Sequence, residues 1–288
     1  MKVDGLGEFG LFERIKTYLS DKAGRDDAAI LEDGDGFMVA SCDTFVEGVH
    51  FKLDWMTAED AGWRSLALAL GDLAAKGATP SWALTTIAMP RDWEVENLVG
   101  LYRGMGDLAE KTHIAIVGGD TSSTKGPAVL SVTVVGRTDK KPVQRSEARP
   151  GWAVAVTGQL GAARVALRQK RALRIWPQLD VGRRLNAAGL CCGDISDGLL
   201  REMEKFAEFS GHGCRIRIDE VPVADGVMAF DAVISGEEAE LVCTGPEDVI
   251  RSAGLKPFGV LTADPQVRMV LEDGTNVPIQ LEGFDHFA

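Results

Sequence analysis

The sequence predicts an α/β (or α+β) protein built as two lobes. Strand-like apolar runs alternate with helix-periodic segments in both halves of the chain. That pattern breaks at "KKPVQRSEARPGW" (140–152), where charge, two prolines and a glycine interrupt it. A chain of 288 residues also has the length of about two domains. The boundary is placed so that residues 1–147 form one lobe and 148–288 the other.

In chain order, "EFGLFERIKTYLS" near the start is amphipathic and carries internal charges, unlike the apolar core of a signal peptide. "FMVASCD" (37–43) reads as a strand. Thr57, with Asp60 three residues later, resembles a capping box opening the helix "AEDAGWRSLALALGDLAAKGA". Its small and apolar residues lie on most sides, which predicts burial, and Gly77 and Pro80 end it. "WALTTIAM" (82–89) is a strand and 94–112 a helix; 114–124 is a strand running into a Gly-containing loop, and 128–138 is an alternating strand. In the second lobe, 153–158, 214–219, 240–244 and 257–263 read as strands. "GAARVALRQKRA" and 198–210 read as helices.

Hydrophobic residues make up 45% and charged ones 26%, an ordinary globular balance. No apolar run is long enough to span a bilayer. Cysteines 42, 191, 192, 214 and 243 form no C-x-x-C pair, so reduced thiols in a cytoplasmic protein are expected. A formal charge of −12 argues against nucleic-acid binding, which needs a basic surface. It leaves open a phosphate-bearing small molecule held through cations.

Several aspartates follow short apolar runs and have small neighbours: Asp26 and Asp27 in "GRDDAAI", Asp43 in "ASCDT", Asp72 in "LGDLAAKGA", Asp120 in "VGGDT", and Asp194 with Asp197 in "DISDGLL". Each alone reads as a cap or turn residue. Asp72 is the exception, because a carboxylate inside an apolar helix is costly unless paired or bound to a cation. Together they suit Mg2+, a hard cation that takes carboxylate and phosphate oxygens. G-x-x-x-x-G-K-[ST], G-x-S-x-G and H-E-x-x-H are all absent. The four histidines show no metal-ligand spacing.

With these residues in hand, the chain resembles the thiamine-monophosphate kinase family, of the aminoimidazole ribonucleotide synthetase-like ATP-binding superfamily. "GEFGLFERI", "DDAAI", "DTFVEGVHF", "GDLAAKGATP", "VGGDT", "RSEARPGW", "DISDGL", "SGEEAEL" and "GFDHFA" carry the resemblance, in the family's order. It implies an N-terminal lobe with a dimerising sheet and a C-terminal lobe completing the site. It implies that several Mg2+ ions are held by Asp27, Ser41, Asp43, Asp72, Asp120, Asp194 and Asp197. Gly119, Asp120, Arg145 and Ser196 match ATP-contacting positions; His50, Glu237 and Phe284 match positions that contact thiamine phosphate. Phe284 offers an aromatic face for stacking.

The implied reaction is ATP-dependent phosphorylation of thiamine monophosphate to thiamine diphosphate in a cytoplasmic homodimer, by direct in-line transfer, with no catalytic residue beyond metal and nucleotide ligands. A superfamily enzyme with another phosphate- or amine-bearing substrate, and a weakly catalytic nucleotide-binding protein, are the alternatives. The chain departs from the family at Arg25, at Cys42 in "SCDT", at "ALGD" (69–72), at Glu238 and Ala239 in "GEEAEL", and in a short stretch between Gly161 and Asp194. Glu237 rather than Glu238 is expected to touch substrate.

Overall fold

Residues 3, 6–20, 23 and 26–278 are described in a computed structural model. Phe284 and Arg25 lie outside the described residues. The first half contains helix α1 (Gly7–Ile15), strands β1 (Ala29–Asp33) and β2 (Gly36–Val46), helix α2 (Ala58–Ala75), β3 (Thr79–Pro90), α3 (Val95–Thr112), β4 (Ala115–Thr124) and β5 (Val129–Thr138). The second half contains β6 (Ala153–Val156), α4 (Ala162–Arg168), α5 (Leu179–Ala187), β7 (Cys191–Asp194), α6 (Leu199–Ser210) and β8 (Cys214–Arg217). It continues with α7 (Ala229–Val233), β9 (Leu241–Gly245), α8 (Glu247–Ser252), β10 (Gly259–Leu261), β11 (Val267–Val270) and β12 (Asn276–Val277).

The strands form two sheets, one drawn from each half. The first has the order β1-β2-β5-β3-β4 and the second β12-β11-β8-β10-β6-β9-β7. The change of sheet falls between residues 138 and 153, across the charged break in the sequence. The cores do not divide so cleanly. Helix α2 is buried along almost its whole length, and its core cluster includes Ala153, Ala155, Leu185, Cys192, Leu241 and Cys243 from the second half. A second cluster, including Phe206, Ile216 and Phe258, belongs to the second half alone.

The composition of α2 explains its place. Thr57 caps it, accepting from Asp60 N–H at 3.1 Å. Its small residues let neighbouring backbones approach closely. A Cβ at Gly62 would sit 2.0 Å from the Leu101 carbonyl oxygen, and one at Gly104 of α3 would sit 1.9 Å from that of Glu59. The two helices therefore cross at a glycine on each partner.

Two segments differ from the sequence expectation. Residues 115–124 remain strand throughout, including Gly118 and Gly119, because β4 pairs in parallel with β3 around a bulge. A Cβ at Gly119 would lie 1.6 Å from the Thr85 carbonyl oxygen, so this glycine serves the strand pairing. Helix α4 stops at Arg168, short of the expected run, and Lys170 turns to a positive φ of 50°. Gly104→Val is expected to destabilise the protein by roughly 2 kcal/mol or more, since the helix crossing cannot admit the side chain. Urea denaturation of the purified variant reads this out.

Candidate active site

A cavity of about 770 Å³ lies where β2, α2, the β7–α6 turn and the 234–237 loop converge, with α1 and α4 along its rim. Its size suits a small-molecule site. The floor is acidic: Asp27, Asp43, Asp72, Asp194 and Asp197 all line it, with Ser41, Ser196 and His50. One carboxylate oxygen from each of Asp27, Asp72 and Asp194 lies within 4.8 Å of the others. These three come from widely separated stretches of chain. Gly71 of α2 lies directly opposite Asp194, where a Cβ would stand 3.3 Å from Oδ2, a tight contact.

The "DISDGLL" pair is not a helix cap. Gly198 occupies the N-cap position of α6, with no side-chain capping bond. Asp194 ends strand β7, Asp197 follows in the turn, and both side chains face the cavity.

Beneath this floor two cations are buried. Lys76, 0% exposed, pairs with Asp26, lies 3.1 Å from Asp27 Oδ2, and donates to the Cys192 carbonyl at 2.7 Å. Arg145, 1% exposed, binds Asp26 at 2.8 Å and also binds Asp27 and Glu202, with Phe206 5.5 Å from its guanidinium. Burial opposes the charge on both cations, but Asp26, Asp27 and Glu202 outweigh it and hold them protonated. Burial alone would raise Asp27, but Arg145 and Lys76 bring it down to about 2.

The other carboxylates shift the opposite way. Burial first, then Asp197, pushes Asp43 up to about 6. Burial and the neighbouring Asp194 raise Asp72 well above the usual range; burial, Asp27 and Glu202 do the same to Asp194. Without a bound cation, the floor therefore keeps Asp27 ionised and favours protons on Asp72 and Asp194. The Ser41 hydroxyl donates to the Asp72 carboxylate, with the Asp27 carbonyl also within 3.2 Å. The donor set consists of oxygens, which fits Mg2+ or another hard divalent ion.

His50 accepts the Val46 N–H on Nδ1 at 3.0 Å and packs edge-on to Phe45, so the neutral ring carries its proton on Nε2. Glu237 lines the cavity in an ion pair with Arg64. Glu238 instead accepts from Gly161 N–H at 2.8 Å, at the start of α4. The two neighbouring glutamates therefore face different surroundings. Ser196 Oγ lies 3.2 Å from Asp197 Oδ2.

The structure does not bring every expected residue to this place. Asp120 and Gly119 sit on β4, the far edge of the first sheet, and do not line the cavity. β4 lies three positions from β2, roughly 14 Å at the usual strand spacing. Arg145, expected at ATP, does line the cavity, but its guanidinium is committed to Asp26, Asp27 and Glu202. The sequence reading assigned no role to Lys76, Glu202, Lys205 or Arg64. Glu202 had a signal: it lies three residues after Leu199 and one before Met203, on the apolar face of α6.

With this geometry established, similarity to known proteins becomes informative. Residues 25–138 match the family described as "AIR synthase related protein, N-terminal domain". The thiamine-monophosphate kinase of Methanopyrus kandleri is 34% identical over 274 residues, covering 86% of each chain. This chain belongs to the thiamine-monophosphate kinase family. The Bacillus subtilis family member is 29% identical over 91% of this chain and 92% of its own. The structure of AaThiL complexed with AMPPCP and TMP superposes with a TM-score of 0.90 at 28% identity, covering 100% of this chain and 99% of that one. The fold is thus the aminoimidazole ribonucleotide synthetase-like fold of that family.

Proton linkage makes the acidic floor visible in stability. Asp43, Asp72 and Asp194 hold protons more tightly folded than unfolded, where such groups titrate near pH 4. As pH rises above about 4, the unfolded chain releases these protons first, and the folded state loses stability through pH 6 and beyond. Asp27 contributes stability that is lost only as pH falls towards 2, outside this window. The metal-free protein is therefore expected to melt at lower temperature at pH 8 than at pH 5, with added Mg2+ raising the melting temperature more at pH 8. A melting temperature that climbs over this interval, with equal Mg2+ effects at both ends, contradicts the assignment.

Proposed function

We propose that this protein phosphorylates thiamine monophosphate to thiamine diphosphate, using ATP and releasing ADP. Family membership supports the activity. The observation that carries it to this chain's own residues is the convergence of Asp27, Asp72 and Asp194 on one oxygen cluster in a ligand-sized cavity. Two lobes, 1–147 and 148–288, build that site between them.

Asp27, Asp43, Asp72, Asp194 and Asp197, with Ser41, are the residues that would hold Mg2+. When bound, the ions neutralise charge on the nucleotide and acceptor phosphates. The protein's own groups do the positioning. Lys76 and Arg145 fix Asp27 and keep it ionised, and Ser41 orients Asp72. Ser196 faces the nucleotide, His50 offers Nε2–H to the acceptor, and Glu237, steadied by Arg64, faces the thiamine moiety. Phe284 is assigned the stacking contact by family position alone.

An oxygen of the acceptor phosphate attacks the γ-phosphorus of ATP. The bond to the β,γ-bridging oxygen breaks, and ADP leaves with its electron pair. The acceptor phosphate has a second pKa of about 6 and is largely ionised at neutral pH, so no general base is needed.

The protein is further read as a cytoplasmic homodimer. Among the described residues no helix is long and apolar enough to cross a membrane, and all five cysteines are free. Trp82, Leu84 and Val117 are exposed on β3 and β4, an apolar surface suited to a second copy. Asp120 lies on that same edge, so in this reading a partner's Asp120 completes the metal site.

One experiment tests activity and assembly together. In an ADP-release assay with Mg2+, ATP and thiamine monophosphate, Asp120→Asn and Asp197→Asn should each lose at least 100-fold in kcat. Co-refolded in equal amounts, they should recover about a quarter of parent activity, since half the dimers are mixed and each mixed dimer holds one intact site. No turnover by the parent removes the thiamine reading, and no recovery in the mixture places Asp120 outside the partner's site.

A further inference from the structure

Among the described residues, three arginine and lysine side chains line the cavity: Arg145, Arg164 and Lys205. Arg145 is committed to Asp26, Asp27 and Glu202, and Arg164 binds Asp231 at 3.0 Å. Lys205 is placed differently. It projects from α6 two turns beyond Asp197, its side chain is 19% exposed, and it lines the cavity beside the acidic floor. Its Nζ lies 3.0 Å from Asp197 Oδ2 and 3.4 Å from Glu202 Oε2.

Glu202, 0% exposed, already has Arg145 on its other oxygen. It does not need Lys205 to offset its charge. Lys205 and the Ser196 hydroxyl both reach Asp197 Oδ2, so a divalent ion arriving at Asp197 competes with the ammonium for its charge, and Coulomb attraction favours the doubly charged ion. An ammonium displaced from Asp197 remains tethered by Glu202 on a flexible four-carbon stem. It then faces a polyanion across the cavity.

We propose that Lys205 is a catalytic residue of this site, whose ammonium passes from the Asp197 carboxylate to a terminal phosphate oxygen of the nucleotide when a divalent cation occupies Asp197. This rests on reading the cavity as a nucleotide-phosphate site. It gives the protein a direct cationic contact to phosphate without a Gly-rich phosphate loop. No covalent bond changes and no proton moves: the ammonium exchanges one anionic partner for another.

The two partners of Lys205 make opposite demands when it is removed. Lys205→Met and Lys205→Arg would be titrated by calorimetry with Mg2+ alone, then with AMPPCP at saturating Mg2+. In Lys205→Met, Mg2+ alone should bind as tightly as in the parent or more tightly, because its competitor at Asp197 is gone. AMPPCP should bind at least tenfold more weakly, and Lys205→Arg should recover most of that loss. AMPPCP affinity within twofold of the parent overturns the proposal, as does an equal weakening of Mg2+ and AMPPCP, the mark of a purely structural lesion. Should Lys205→Met fail to fold, Lys205→Gln is judged by the same two criteria. A parent that binds AMPPCP but does not phosphorylate thiamine monophosphate refutes the substrate reading while leaving Lys205 in place. A parent that binds no AMPPCP overturns both.

Discussion

The repulsion among carboxylates gathered in one sheltered cavity is the constraint on which the rest of this structure depends. Two unit charges about 4 Å apart repel by roughly 4 kcal/mol at an effective dielectric near 20. An uncompensated cluster would push the two halves of the chain apart. Lys76 and Arg145 answer part of that repulsion permanently, from beneath, through Asp26, Asp27 and Glu202. Protons on Asp72 and Asp194 answer another part conditionally. In the proposed function, a cation that replaces those protons would complete the compensation and so couple binding to stability. Removing either buried cation would leave this anion cluster short of one buried positive charge, a loss of about 3–5 kcal/mol.

The architecture serves that requirement. Helix α2 lies in a core shared by both halves, so Asp72 is held against Asp194 by packing on both sides. Glycines remove the side chains that would hold the two long helices apart: Gly62 and Gly104 where α2 crosses α3. The rim is built differently. Phe9 of α1 packs edge-on against Phe209 of α6, with Arg201 4.5 Å above its ring, so the rim rests on side-chain contacts rather than on a sheet. A rigid acidic floor beneath a lighter rim suits a site that fixes phosphates while admitting two substrates.

Much of this was legible in the sequence, for physical reasons. The buried helix α2, the alternating strands and the change of sheet follow from periodicity and from punctuation by charge, proline and glycine. The carboxylates stood out because small neighbours and apolar runs make poor company for a solvated Asp. Other features depend on tertiary distance, which local pattern does not encode. β4 remains a strand through Gly118 and Gly119 only because Thr85 lies against it. Arg145 lies in a recognisable motif, but its burial among Asp26, Asp27 and Glu202 depends on chain segments more than 50 residues away. The distance of Asp120 from the other aspartates follows from strand order, which spacing along the chain does not determine. Lys76 and Lys205 carry no local signal, and only the fold places carboxylates around them.

In the proposed function, this cavity exchanges protons for divalent cations on its carboxylates. The most direct test of that exchange is calorimetric titration of Mg2+ into the metal-free protein at pH 7, repeated in two buffers with different ionisation heats. The account predicts saturable Mg2+ binding with net proton release, reduced when Asp72 is replaced by Asn. Binding with no proton release, or release unchanged in Asp72→Asn, would contradict it.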